Sequence, residues 1–193
     1  MANEALLVMD MQNGVVDRLA EQAERLLGLL AGTVAAARAA TVPVIYVRIA
    51  FRTGAPEVSP HNQVFANLAR TGTFGEEEHA TQIHPALAPQ PGDVIVTKRR
   101  VGAFAGSDLD VVLRSLDVDS LVLTGIATSG VVLSTLRLAA DLDFGLSVLS
   151  DGCADADPEV HRILMEKVFP RQASVLSVGE WVARLQAFGQ VPA

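Results

Sequence analysis

Cysteine is nearly absent. Cys153 is the one cysteine in 193 residues, so no intrachain disulfide can form and the fold has to rest on its core. Aromatics are scarce too, at 5% with one Trp and one Tyr, which leaves Ala, Val and Leu to pack helices closely on a sheet. A basic surplus is missing: 15 Lys and Arg stand against 22 Asp and Glu, for a net charge of −7. Without a basic stripe to neutralise phosphates, nucleic acid is excluded as the expected partner. No apolar run approaches the ~20 residues that a membrane span needs, and no basic n-region followed by an apolar h-region opens the chain. The expectation is a cytoplasmic protein with no membrane partner. No repeat, low-complexity tract or linker divides the sequence, so residues 1–193 are read as a single domain.

What is present is a series of short apolar runs separated by helical patterns. Glu4 to Asp10 reads as a buried first strand ending in a carboxylate, and Leu19 to Ala40 as a long first helix that Pro43 stops. Val44 to Ile49, Asp93 to Thr97, Ser120 to Leu123, Gly145 to Leu149 and Ala173 to Val178 read as five further strands. Short helices are expected over Asp108 to Leu116, from Asp157-Pro158-Glu159 onward, and over Gly179 to Phe188, with Trp181 as packing. Ala50 to Pro91 shows no sustained periodicity and holds three of the four histidines, His61, His79 and His84. A loop of that length in a compact domain reads as a lid or pocket wall. Its Glu76-Glu77-Glu78 run reads as a solvated face.

Six strands alternating with helices imply an α/β fold: a parallel sheet covered on both faces, with right-handed crossovers. Asp10, Lys98 and the Gly125 to Val131 turn all fall at the carboxyl ends of their strands and so converge on one rim. In open α/β sheets that rim is where ligands bind, and a helix start there offers free N–H groups to an anion or oxyanion. By position alone, Asp10 could equally be a capping aspartate and Lys98 a surface cation.

Three stretches carry a resemblance. Thr124-Gly125-Ile126-Ala127-Thr128-Ser129-Gly130-Val131-Val132 resembles the nucleophile turn of the isochorismatase-like (cysteine hydrolase) superfamily, whose Gly-x-x-Thr-x-x-Cys pattern sets a cysteine at the helix start. Asp10-Met11-Gln12-Asn13 resembles the superfamily's Asp-x-Gln-Asn opening, and Lys98 to Phe104 its Lys-x-x-x-(small)-Ala-Phe signature. The likeness covers nearly the whole chain, including Asp151 to Asp155 and His161. It implies a three-layer α/β/α, Rossmann-like sheet of order 3-2-1-4-5-6. It also implies Asp10 and Lys98 as catalytic residues, Ala127, Thr128, Gly130 and Val131 as the oxyanion turn, Gln12 and Phe104 as pocket residues, and a homodimer or larger homo-oligomer.

Val131 occupies the cysteine's place, and a valine has no lone pair with which to attack. Ser129 lies about 200° round the helix from it, and Ser134 about 4.5 Å deeper. Thr128 is better placed to orient the turn, and Cys153 follows a different strand. The isochorismatases proper also lack the thiol: their aspartate acts as a general acid on a vinyl ether, and water completes the hydrolysis. Such an acid needs a raised pKa, which Met11, Phe104 and Val131 would favour and Lys98 would oppose. Asn62-Gln63 and Arg70 resemble the Gln and Arg with which those enzymes grip carboxylates, although Thr73-Phe74-Gly75 replaces the expected Trp-Gly; Arg52 and Arg100 are further candidates. The Asp-x-His metal pair of the nicotinamidases has no counterpart between Arg48 and Arg52. The expectation is a hydrolase of a small anionic metabolite that needs neither cofactor nor metal. A small-amide hydrolase using water or another nucleophile, and a catalytically silent binding or assembly module, are the alternatives.

Overall fold

The computed structural model describes residues 3–19 and 22–189. Strands β1 (Glu4–Met9), β2 (Val44–Ile49), β3 (Val94–Lys98), β4 (Ser120–Ile126), β5 (Gly145–Ala154) and β6 (Ser174–Leu176) form one parallel sheet in the order β3-β2-β1-β4-β5-β6. Around it run α1 (Asn13–Val16), α2 (Gln22–Ala39), α3 (Gln63–Arg70), α4 (Leu109–Ser115), α5 (Leu133–Asp141), α6 (Pro158–Ile163) and α7 (Val178–Gly189).

Alternation along β1 explains the three layers. Ala5, Leu7 and Met9 enter a core with Leu113 of α4 and Leu136 of α5, while Leu6 and Val8 enter another with Leu30 and Val34 of α2 and Trp181 of α7. Trp181 is fully buried in that second core, as packing requires. The direction of winding reverses at β1 and β4, which places α2 and α5 on opposite faces. The crevice between the carboxyl ends of β1 and β4 is therefore the switch point of the sheet.

Local chemistry sets the element ends. Asp157 accepts the N–H groups of Glu159 and Val160 at 2.9 and 3.4 Å, with Pro158 in the first helical position. Several elements depart from the sequence reading: α1 was not expected, and β4 runs past Leu123 to Ile126. β5 runs on to Ala154, because Cys153 and Ala154 rejoin Gly125 and Ile126 of β4 after a shift of register. The stretch from Ala50 to Pro91 is not wholly irregular, since α3 lies within it, capped by Asn62 accepting from the Phe65 N–H at 3.2 Å. Phe65 joins Ile49, Phe51 and Phe74 in a small separate core that holds this segment to the end of β2. The first helix as read includes Ala20 and Glu21, which lie outside the described residues.

Candidate active site

Asp10 and Lys98 meet although two strand positions separate them. Asp10 leaves β1 with φ 56°, a left-handed conformation uncommon for a residue with a side chain. The turn brings its Oδ2 to 2.9 Å from Lys98 Nζ, which reaches over from the end of β3. Only 7% of Asp10 and 2% of Lys98 is exposed. Lys98 Nζ also donates to the Arg100 and Val101 carbonyls at 3.1 and 2.9 Å, so its three N–H groups have three acceptors. Asp10 Oδ1, by contrast, is buried with no hydrogen-bond partner among the described residues. Burial raises the Asp10 pKa above the ordinary carboxylate value, and the Lys98 ammonium and its hydrogen bond offset this only in part.

The turn after β4 approaches this pair. Gly125 has φ +127°, and a Cβ there would lie 2.0 Å from the Met9 carbonyl oxygen, so only glycine lets β4 close against β1. The Ile126–Ala127 peptide is cis. Thr128–Val132 form one wide helical turn leading into α5, with Ala127 at the cap position and no side-chain acceptor there. The Gly130 and Val132 N–H groups donate to the Ala127 carbonyl at 3.1 and 3.3 Å, and the Ser129 N–H to Asp155 Oδ2 at 2.7 Å. Gly130 lies against Val101, whose carbonyl holds Lys98, so the turn and the lysine share one rim. Val131 is 2% exposed and belongs to the core shared with Met9 and Leu136.

Several residues expected at the pocket are engaged elsewhere. Gln12 is fully buried: its Nε2 donates to the Ile49 and Ala80 carbonyls at 3.0 and 3.2 Å, and its Oε1 accepts the Ile49 N–H at 2.8 Å. Both amide donors are spent on backbone, so Gln12 is a tie between β2 and the long loop rather than a substrate contact. Phe104 packs at 6.1 Å from Phe144, which immediately precedes β5 and so lies toward the rim opposite Asp10. That ring is half-buried and packs against the core beside Phe144 rather than beside Asp10.

Gln63 and Arg100 line a shallow depression with His61 and Asn62, where Arg100 also donates to the Glu57 carbonyl at 2.9 Å. Arg70 is exposed and bonded to Asn67. With Arg52, Phe51, Phe74 and Glu76 it lines a cavity of about 840 Å³ set off from the Asp10–Lys98 pair, neither member of which lines it.

In sequence Arg99 is legible only as part of a basic cluster with Lys98 and Arg100. It is buried beside Lys98 and donates to the Ala50 carbonyl and to Glu76, with Glu57 at 3.4 Å from its Nε. It thereby clasps the start of the loop and two points within it to the lysine segment, and Glu76 is an ion-pair partner rather than part of a free acidic face. Nothing local signals this, because the loop's return to β3 is visible only in three dimensions.

The one thiol is no substitute nucleophile. Cys153 is buried in the core, donates to the Leu123 carbonyl at 3.8 Å, and is pushed up to about 12 by burial, so it stays protonated at neutral pH. Among the described residues, no three His, Cys, Asp or Glu side chains gather in a way that could hold a metal ion, and no helix is long and apolar enough to cross a membrane.

A parallel 3-2-1-4-5-6 sheet with an aspartate, a lysine and a tight turn at its switch point defines a class of α/β hydrolytic fold, and the isochorismatase domain model matches residues 4–180. The chain belongs to the isochorismatase family of hydrolases. It is 33% identical over 181 residues to the uncharacterized isochorismatase family protein YecD of Escherichia coli O157:H7, covering 91% of this chain and 93% of that one. To the ureidoacrylate amidohydrolase RutB of Stutzerimonas stutzeri it is 33% identical over 211 residues, covering 96% and 81%. Among solved structures, a cysteine hydrolase from Pseudomonas syringae pv. phaseolicola 1448A superposes with a TM-score of 0.88 at 26% identity, over 96% of this chain and 93% of that one.

Proposed function

We propose that the protein hydrolyses a small anionic metabolite without a covalent thiol intermediate, with Asp10 as a general acid and a vinyl ether of the isochorismate type as the substrate class. One observation carries this reading. The carboxyl group at the rim is buried, raised in pKa and without a hydrogen-bond partner at Oδ1 among the described residues, while the position for a nucleophile holds Val131. Because Lys98 donates to Oδ2, the acid's proton belongs on Oδ1. Transfer of that proton to the terminal methylene carbon breaks the C=C π bond and leaves an oxocarbenium ion. Water adds to its carbon and loses a proton, and the resulting hemiketal collapses to pyruvate and the alcohol, leaving Asp10 to be reprotonated. Lys98 has no N–H left for substrate, so its part is to fix Oδ2 and the Arg100–Val101 carbonyls.

The test is pyruvate release from isochorismate, read with a lactate dehydrogenase couple, for wild type beside Asp10→Asn. The expected result is turnover by wild type and a loss of about 10²–10⁴-fold in kcat in the variant, the usual worth of a general acid. Unchanged turnover in Asp10→Asn would remove the acid role. The likeness to a ureidoacrylate amidohydrolase favours a second reading, in which ionised Asp10 activates water against a small amide. Ammonia release from ureidoacrylate, with no pyruvate from isochorismate, would select it. If neither substrate is consumed but small acids raise the melting temperature, the binding-module reading stands instead.

A further inference from the structure

The segment after β5 grips the Ala127–Val131 turn at two consecutive residues. Asp155 Oδ2 accepts the Ser129 N–H at 2.7 Å, and His161 Nδ1 lies 2.8 Å from the Thr128 hydroxyl. The gripping segment is itself locked. Asp155 is buried and its Oδ1 takes the Asp157 N–H at 3.4 Å, while Asp157 caps the helix that carries His161. The turn has little support of its own, since Ala127 offers it no side-chain cap. Thr128 is fully buried, so without His161 its hydroxyl would be a buried polar group short of a partner.

We propose that Asp155 and His161 are positioning residues that hold the Thr128–Val131 backbone in the shape presented to the substrate. They act from behind the turn, on the side of β5 and α6, whereas Asp10 and Lys98 approach from β1 and β3. This rests on the reading above that the turn faces the substrate.

The hold through His161 is sensitive to protonation. A neutral ring can accept the Thr128 proton at Nδ1, and a cationic ring can only donate to it. Asp155 favours the cation, and burial of the ring opposes it more strongly. On α6 itself, Asp157 is spent as the cap, and Glu159 pairs with Arg162, which also reaches Glu166. Lys167 follows on the exposed side, and Thr128–Val132 carry no titratable group.

Hydrogen–deuterium exchange of the peptides spanning 126–132 and 133–141 tests the proposal without requiring a substrate. At about pH 7.5, above the ordinary histidine range, His161→Leu and Asp155→Ala are expected to speed exchange in 126–132 by about tenfold, the worth of one net hydrogen bond. Exchange in 133–141 should be unchanged. His161→Asn places an amide where Nδ1 stood and should restore protection, now without a change between pH 7.5 and about pH 5, where a free histidine is protonated. Unchanged exchange in 126–132, an equal rise in both peptides, or no rescue by Asn would each overturn the proposal. If wild type consumes neither isochorismate nor ureidoacrylate, the hydrolase reading fails, and the exchange pattern still decides the positioning role. If it consumes one of them, His161→Leu should lower kcat with KM little changed.

Discussion

Gly125 decides more than any other single position about how close β1 and β4 come. The added methyl group in Gly125→Ala would meet the Met9 oxygen at 2.0 Å, and the φ of +127° is one that alanine resists. A loss of about 3 kcal/mol or more in unfolding free energy is expected, since backbone and not a flexible side chain would have to yield. Urea unfolding of the variant beside wild type measures it; a loss under about 1 kcal/mol, an ordinary point-mutant cost, would show that the strands can part there. In sequence this glycine was legible as a turn residue, because an apolar run stopped at it. Its contact with Met9 was not, since 116 residues separate the two in the chain. The same limit hid the role of Arg99, whose three acceptors, at Ala50, Glu57 and Glu76, are spread along the loop.

Among the elements, the buried strands were the most readable, because a parallel sheet covered on both faces writes itself as short apolar runs between helical stretches. Helix α3 was not readable: its eight residues lie inside a stretch rich in Pro, Gly and polar residues that shows no sustained period. Gln12 illustrates a different failure. Its neighbourhood with Asp10 suggested a substrate contact, yet its amide is the joint between β2 and the segment around Ala80. Gln12→Leu would strand the Ile49 N–H and two carbonyls inside the protein, and a loss of about 2–4 kcal/mol is expected. Thermal or denaturant unfolding would report it, and protection from proteolysis within residues 50–91 should fall in parallel.

At the scale of the whole molecule, the strand order came from family likeness and the convergence on one rim from the pattern of strand ends; both appear in the folded chain. One buried and one half-buried group there give stability opposite pH slopes. His161 has a folded pKa below 6.5, so the unfolded chain binds more protons as pH falls through that range, and stability falls with it. Asp10 has a folded pKa above 3.8, so the native state holds the extra proton, and stability falls as pH rises through the folded value. From about pH 8 down to about pH 5, spanning the ordinary histidine range, wild type should lose melting temperature relative to His161→Asn, in which the Asp10 contribution is left in place. An equally steep decline in the variant would assign it to other groups.

The chain holds only two lysines, and they differ as far as two amines can. Lys167 stands in solvent, whereas each proton of the Lys98 ammonium is already given to an oxygen. Reductive methylation with isotopic formaldehyde should therefore mark Lys167 and, apart from the chain terminus, nothing else in the folded protein. Lys98 would take the label only after denaturation, as peptide mass spectrometry would reveal; prompt labelling in the native state would mean that the ammonium is not so enclosed. With one lysine silent and the other bright, the appearance of a second lysine methyl resonance becomes a direct signal that the rim has opened.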